Sequence, residues 1–488
     1  MKAIILAAGM GTRLSPMTLL KPKPLLKING KTLLENMIKC LKNGGIKDIT
    51  VVTGYKNEMF NPYKKKLGFK KVISKNFETT NSANSLKLVI DNLDSDTLIM
   101  NGDLYIKSDF IRYIRKNVSQ VIAQYLEKTN HPTWQYEIDE NSKLIGINEN
   151  SGGGGRGLSE TGIAYITEKD LKIIKQELNK LSDKVYWEYA IQKSLKKMDF
   201  YITEVKDLIY EIDSFSDAMT HNLLTSDDIA KQCSDNNKAI RLAGLTNYNY
   251  RIKFMGHDKA IRIPGFGTEA FVDRPAERKI TSVVPSSICP KTDFFDWDVK
   301  ITDYLKGYHS ITDEDLNTKF FNSFIKTLRI LHSVKLKNNK GFKPMSMHSE
   351  IDKYEKLANR KITTETQRKY ILSIADRIEK DEQVLCHRDL LYGNIMYNGK
   401  DVKLIDFEYS GFSSKYWDLA NFICESDINE EQRSEIIKLY KDVEDKQVRE
   451  TELLVNYIWY YWAIVNNSKK LEEHYKNGLI KNFSILKG

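Results

Sequence analysis

Two sets of residues in this chain have the types and spacing for phosphorus chemistry. The first is Ile4-Ile5-Leu6-Ala7-Ala8-Gly9-Met10-Gly11-Thr12-Arg13, followed by Lys21-Pro22-Lys23-Pro24-Leu25. Small residues after an apolar run let backbone N–H groups close around a polyphosphate. Leu6, Ala8, Gly9, Gly11 and Thr12 are therefore candidate nucleotide contacts. Arg13 and Lys23 would neutralise charge developing on a departing pyrophosphate. Such a transfer needs a divalent metal on oxygen ligands. Asp103, just past the apolar run Leu98-Ile99-Met100, and Asp213, in Ile209-Tyr210-Glu211-Ile212-Asp213-Ser214, are the expected pair.

The second set is Cys386-His387-Arg388-Asp389-Leu390-Leu391-Tyr392-Gly393-Asn394, then Leu404-Ile405-Asp406-Phe407-Glu408. Phosphoryl transfer to an alcohol uses an acid near the attacking hydroxyl, here Asp389. It also uses an amide and an acid on magnesium, here Asn394 and Asp406. Asn398-Gly399 predicts a two-residue hairpin turn, which sets Asp406 opposite Leu391 and beside Asp389 and Asn394.

The elements that position these residues differ between the two halves. Ile4–Leu6, Ile49–Val52, Val72–Ile73 and Leu98–Met100 read as strands with helices between them. Thr32-Leu33-Leu34-Glu35 is a capping box opening a helix with Leu33, Leu34, Met37, Ile38 and Leu41 on its apolar face, stopped by Gly44-Gly45. This alternation predicts an α/β fold, a doubly wound and mostly parallel sheet. Ser151-Gly-Gly-Gly-Gly-Arg-Gly157 reads as a mobile surface loop. A polar, aperiodic stretch around residues 225–238 suggests a linker; Ile252–Pro264 then reads as antiparallel strands and long helices dominate from about Asp313. The expected division is residues 1–228, a linker at 229–240, and 241–488.

The chain has 488 residues, 41% hydrophobic, 10% aromatic and 29% charged, the profile of a globular protein of two or three domains. No apolar run reaches the length of a membrane span, and the short apolar start lacks a cleavage context, so a cytoplasmic protein is expected. Five scattered cysteines build neither a disulfide framework nor a zinc site. The net charge of +10 comes from Lys and Arg interspersed with Asp and Glu, which suits a small polyanion such as a nucleotide as well as nucleic acid and decides nothing alone; the expected partners are small-molecule substrates and not nucleic acid. Oligomeric state is not legible.

The first motif resembles the signature of nucleotidyltransferases. Over about 220 residues that half resembles the choline-phosphate cytidylyltransferases, through Asn84-Ser85-Leu86, Val185-Tyr186-Trp187-Glu188 and Tyr210–Ser214. The resemblance implies that Asn84 and Ser85 contact the nucleotide CTP, and that Trp187, Glu188 and Trp134 hold a quaternary ammonium, which an aromatic face with a carboxylate suits. The second half resembles choline kinases and their aminoglycoside-phosphotransferase relatives, which implies a two-lobed, protein-kinase-like α+β domain with a small lobe at about 241–300 and a large lobe at 301–488. By that resemblance Gly244, Thr246, Asn247 and Asn249 cover the phosphates of ATP, Arg262 stands where protein kinases keep a strand lysine, and Glu277 is its helix partner. Trp417, Glu425, Trp459 and Trp462 would cradle the trimethylammonium of choline, the two last lying three residues apart on one helix face. Arg388 departs from the pattern, since many choline kinases carry Asn there. Together the halves imply a bifunctional enzyme that makes phosphocholine and then CDP-choline with magnesium at both sites. The alternatives are ethanolamine or another amino-alcohol as substrate, a sugar-phosphate nucleotidyltransferase fused to a small-molecule kinase, and a non-catalytic nucleotide sensor.

Overall fold

In the computed structural model, which describes residues 1–126, 134–149, 157–244, 247–265, 272–297, 299–335, 346–426 and 428–487, the first apolar run becomes β1 (Lys2–Ala7). The capping box then opens α1 (Leu33–Asn43). Glu35 N–H donates to Thr32 Oγ1 at 3.1 Å and Thr32 N–H to Glu35 Oε2 at 2.9 Å, so two otherwise orphaned donors are satisfied. All five predicted apolar positions of α1 are buried. There follow β2 (Asp48–Thr53), β3 (Lys70–Ile73), α2 (Ser82–Ile90), β4 (Thr97–Asn101), β5 (Leu104–Ile106), β6 (Gln120–Leu126), β7 (Trp134–Ile138), β8 (Leu144–Glu149), β9 (Gly157–Ile166), α3 (Glu168–Asn179), α4 (Glu188–Ser194), β10 (Tyr201–Val205) and β11 (Ile209–Glu211).

A sheet of nine strands runs β8-β7-β9-β4-β1-β2-β3, with β6 joining β9 to β10. β1 lies between β2 and β4 and is parallel to both, whereas β9 is antiparallel to β4. The chain leaves β1 to one side and returns on the other, so the carboxyl ends of β1 and β4 frame the crevice where open α/β sheets bind ligands. Their register aligns Leu6 with Asn101, which brings the glycine loop level with Gly102 and Asp103.

The expected linker is displaced. Residues 226–232 form α5 (Ser226–Gln232), capped by Thr225, with Ile229 and Ala230 buried. Gln232 is buried and exchanges hydrogen bonds with the backbone of Lys27. The polarity of this stretch belongs to a capped, half-exposed helix. The chain divides into two compact units, Met1–Ile240 with Ile252–His257, and Arg241–Arg251 with Asp258–Gly488. The expected glycine-rich loop falls on residues 151–156, outside the described residues, apart from Gly157 in β9.

The second half opens on a five-stranded sheet containing β12 (Tyr248–Phe254), β13 (His257–Ile263), β14 (Thr292–Asp296) and β15 (Val299–Asp303), with α6 (Arg274–Val283) between β13 and β14. Helices then dominate: α7 (Thr318–His332), α8 (Met347–Ala358), α9 (Glu365–Lys380), α10 (Tyr416–Glu425), α11 (Glu430–Tyr440), α12 (Asp445–Val465) and α13 (Lys469–Lys487). Strand pairs β16 (Gln383–Cys386) with β19 (Gly411–Ser414), and β17 (Ile395–Tyr397) with β18 (Val402–Leu404), carry the catalytic-loop segment. The β17–β18 turn differs from expectation. Tyr397 pairs with Val402, so four residues make the loop, and Asp406 falls opposite Gly393 instead of Leu391. The Asn398 side chain is the reason: its oxygen accepts from the N–H of Lys400 and of Asp401, closing a wider turn.

Candidate active sites

The first site is built where β1 and β4 end. Gly11 takes φ +63°, and a Cβ there would lie 2.9 Å from Lys23 Cβ, so only glycine lets the loop pass over that lysine. Gly102 is equally constrained, since its Cβ would meet Leu6 O at 2.6 Å. Leu6 and Ala8 are buried at the loop's root, Gly9 and Thr12 stand along its rim, and Thr18 Oγ1 donates to Gly11 O at 3.0 Å. Lys23 is buried, with Nζ 2.8 Å from Asp103 Oδ2 and 2.6 Å from Asp213 Oδ1. Burial alone would push this ammonium down, but Asp103, Asp213 and Glu211 outweigh it and hold it above its ordinary value. Arg13 Nη1 pairs with the other oxygen of Asp213.

Asp103, Asp213 and Glu211 bring carboxylate oxygens within 4.8 Å of one another. Asp103 Oδ1 is buried without a hydrogen-bond partner. An oxygen-only donor set with one orphaned oxygen fits a hard divalent cation. Glu211 was not among the expected ligands, although its spacing of two from Asp213 is the strand period that puts both on one side.

Asn84 and Ser85 lie on α2. Ser85 is turned into the core, and the Asn84 amide donates to Ser74 Oγ (3.4 Å) and Thr80 Oγ1 (3.2 Å), tying down the loop before the helix. Trp187 departs from expectation. It is 1% exposed within the apolar core, and its indole N–H donates to Asn101 Oδ1 at 3.0 Å. Asn101 in turn donates to Glu188 Oε1 at 3.2 Å, so Trp187 orients a polar relay and is not a cage wall. The aromatic surface is Trp134 with Tyr186 and Tyr189, ring centroids 5.6 and 5.0 Å from it. Glu160 of β9, half-buried, lies close enough to Glu188 for the two carboxyl groups to interact. Burial and the Glu188 charge raise Glu160 well above the carboxylate range, while burial takes Glu188 up to about 7. Two buried carboxyl groups this close disfavour carrying two charges at once.

In the second half, Arg262 of β13 makes a two-pronged pair with Glu277 of α6, at 2.6 and 2.8 Å. Its Nη1 also reaches Asp406 Oδ1 at 3.1 Å. Lys300, beside Arg262 in the sheet, and Arg274 share Glu277, at 2.8 and 3.0 Å. Glu277 therefore gathers three cations from three elements, and the pull of Lys300 and Arg262 overrides its burial and holds it far below the carboxylate range. Asn247 is buried, donating to Glu408 Oε2 and accepting from Arg274, both at 3.0 Å. It anchors the loop instead of facing a phosphate. Asn249 donates to Ala243 O within the loop, and Gly244 leaves room for that side chain, since a Cβ would lie 2.5 Å from it. Thr246 lies outside the described residues.

The catalytic loop hangs from α10. Asp418, fully buried, accepts the N–H of His387 and of Arg388, each at 2.8 Å, and Asn421 accepts that of Leu390 at 2.6 Å. His332 Nε2 holds the Asp418 carboxylate from α7 at 3.0 Å. Asn394 Nδ2 donates to Asp389 Oδ2 at 2.8 Å and to Asp389 O at 2.8 Å, so the amide nitrogen is committed to the loop. Burial, with Asp406, Glu425 and Glu408 behind it, raises Asp389 well above the carboxylate range.

Near Asp389, Tyr409 and Trp459 meet edge-to-face at 5.8 Å, and Trp459 meets Trp462 at 6.0 Å. Glu425 accepts from Tyr475 Oη at 2.8 Å, and burial pushes its carboxyl up to about 7. Of the expected cage residues, Trp459 and Trp462 meet each other and Trp459 meets Tyr409, while Glu425 is held by Tyr475; Glu425, Tyr409 and Tyr475 all lie close enough to Asp389 to act on its charge or feel it. Trp417 does not join them. It is fully buried, and its ring face is covered by the Arg388 guanidinium at 4.8 Å.

Residues 2–136 match the nucleotidyl transferase family model and residues 238–487 the choline/ethanolamine kinase family model. A choline-phosphate cytidylyltransferase of Streptococcus pneumoniae is 33% identical over 222 residues, covering 44% of this chain and 95% of that protein. A 2-aminoethylphosphonate cytidylyltransferase of Lancefieldella rimae is 28% identical over 225 residues, covering 44% and 89%. The crystal structure of a choline kinase from Streptococcus pneumoniae covers 51% of this chain and 93% of its own, at 22% identity and a TM-score of 0.44. Among the described residues no helix is long and apolar enough to cross a membrane. The chain thus joins two enzymes in one polypeptide, belonging in its first half to the family of the choline-phosphate cytidylyltransferases and in its second to the choline/ethanolamine kinases.

Proposed function

We propose that the second half transfers the γ-phosphoryl group of ATP to choline, and that the first half joins the resulting phosphocholine to CTP, releasing pyrophosphate and CDP-choline. The observation that carries this reading is the set of Glu425, Tyr409 and Tyr475 close to Asp389, with Trp459 packed on Tyr409 and Trp462 on Trp459. A trimethylammonium has no N–H to donate, so ring faces and one anion suit it better than a set of hydrogen-bond acceptors. Asp389 orients the choline hydroxyl and takes its proton as the new P–O bond forms and the bond from the γ-phosphorus to the ADP oxygen breaks; Asn394 and Asp406 would hold magnesium, which would draw charge off the phosphates. In the first half, a phosphate oxygen of phosphocholine attacks the α-phosphorus of CTP and the bond to the β-phosphate oxygen breaks. Lys23 and Arg13 stabilise the charge on the leaving pyrophosphate, and Asp103, Glu211 and Asp213 are the residues that would hold magnesium. Trp134, Tyr186 and Tyr189 with Glu188 would receive the headgroup. The polypeptide is read as a cytoplasmic enzyme of small-molecule substrates.

The test is to incubate the full chain with ATP, CTP, magnesium and one amino-alcohol at a time, following ADP and pyrophosphate separately. Choline should release both products, and phosphocholine with CTP should release pyrophosphate without ATP. ADP formation with ethanolamine but not choline would move the reading to a primary amine, and neither product with any amino-alcohol would leave a nucleotide-binding protein.

Glu425 makes the kinase step pH-dependent in a set direction. With its carboxyl near 7, only the ionised form attracts the choline cation, so binding strengthens as pH rises. At saturating ATP, kcat/KM for choline relative to its uncharged isostere 3,3-dimethylbutan-1-ol should rise about tenfold from pH 6 to pH 8, following the ionised fraction. The ratio cancels the titration of Asp389, which acts on both alcohols. A ratio that stays flat across this range would remove Glu425 from the cation site.

A further inference from the structure

Arg388 is the residue at which the catalytic loop departs from the choline-kinase pattern, and its surroundings assign a role to a residue outside that loop. Arg388 is 3% exposed and has φ +70°. A non-glycine residue keeps such a backbone only where its surroundings over-determine it. Asp418 fixes its N–H from α10. Its side chain runs the other way, lying over Trp417 and meeting Glu350 of α8 with both prongs, Nη1 to Oε1 at 3.1 Å and Nη2 to Oε2 at 2.7 Å. Glu350 is therefore the counter-ion of a buried guanidinium one residue from the reacting acid.

Resting on the reading of residues 238–487 as a kinase of an amino-alcohol, we propose that Glu350 is a positioning residue of the phosphoryl transfer: it clamps and neutralises Arg388, and so fixes the direction of Asp389. Two consequences follow from the chemistry. Without Glu350 the guanidinium loses its paired carboxylate and must leave its place or draw on the next one, Asp418, whose two oxygens hold the N–H groups of His387 and Arg388; either movement loosens the backbone that aims Asp389. With Asn at 388, the residue usual in choline kinases, no charge needs compensation and Glu350 becomes dispensable. The clamp and the arginine are a matched pair, each costly without the other.

The experiment is steady-state kinetics on the full chain with Glu350→Gln, Arg388→Asn and the double variant. Glu350→Gln should lower kcat for choline phosphorylation about tenfold or more, leave KM for ATP within about twofold, and leave cytidylylation of phosphocholine unchanged. The double variant should recover to within about threefold of Arg388→Asn alone. Losses that multiply in the double variant, or a kcat for Glu350→Gln within about twofold of wild type, would overturn the proposal. Should Glu350→Gln alone be insoluble, the double variant still decides, since it buries no unpaired charge: activity like that of Arg388→Asn supports the clamp and an inactive soluble protein refutes it. Choline-dependent ADP release by the wild type tests the kinase reading separately.

Discussion

Asp389→Asn should lower choline phosphorylation by about a hundredfold to ten-thousandfold, the range a positioned general base supplies. Asparagine keeps the shape of the side chain and can still accept from Asn394 Nδ2, now 2.8 Å from Asp389 Oδ2. What it lacks is the charge and the capacity to take the hydroxyl proton. ATP binding should survive, because Asn394, Asp406 and the Arg262–Glu277 pair remain. Cytidylylation of added phosphocholine should also be unchanged. Stability should move the opposite way from activity. Burial and three neighbouring carboxylates raise Asp389 in the folded chain, so its charge destabilises the fold at any pH above the unfolded value. Removing that charge should leave the thermal midpoint unchanged or higher. A phosphorylation rate within about twofold of wild type would sink the assignment of Asp389.

How much of this was legible in the sequence depends on how local each signal is. The glycine loop, the Thr32–Glu35 capping box and the spacing of Asp389 and Asn394 lie within a dozen residues or fewer, and the fold puts them where those patterns imply. Lys23, Asp103 and Asp213 come from segments far apart in the chain, and the structure brings the three side chains into contact. Trp187 shows where reading residue type alone fails. Besides Glu188, the buried positions around α4 are 187, 190, 191 and 194, a helical period that assigns Trp187 to the core and Tyr186 and Tyr189 to the other side. Trp417 likewise sits in a helix buried nearly all round, whose Asp418 and Asn421 face the catalytic loop. Tyr409 and Tyr475 had no local signal. They approach Trp459 and Glu425 from segments dozens of residues away, and only tertiary packing unites them. The turn at Asn398 erred by two residues because a side-chain cap overrode the dipeptide preference.

Lys23→Ala should lower cytidylyl transfer about a hundredfold or more, with choline phosphorylation near wild type. The expected loss has two sources in the geometry. The ammonium is held between Asp103 and Asp213, so in the proposed reaction its removal takes away a positive charge that would face the triphosphate. It also leaves Asp103, Glu211 and Asp213, whose oxygens lie within 4.8 Å of one another, with Arg13 as their remaining cationic contact. Like charges that close repel, and the carboxylates will spread or take up protons, which spoils the metal site as well as the phosphate site. Higher magnesium should therefore recover part of the Lys23→Ala loss, because a bound divalent cation restores the local balance, but not the part that depends on contact with the leaving group. Lys23→Arg, which keeps the charge on a longer and planar head, should retain metal affinity while losing rate. The three carboxylates hold Lys23 above its ordinary value, so it stays charged throughout the neutral range and the defect should be the same at pH 7 and pH 9. Equal loss of both activities in Lys23→Ala would mark a folding defect. A cytidylyl transfer rate within about threefold of wild type at every magnesium concentration would show that the charge at position 23 does not act on the reaction.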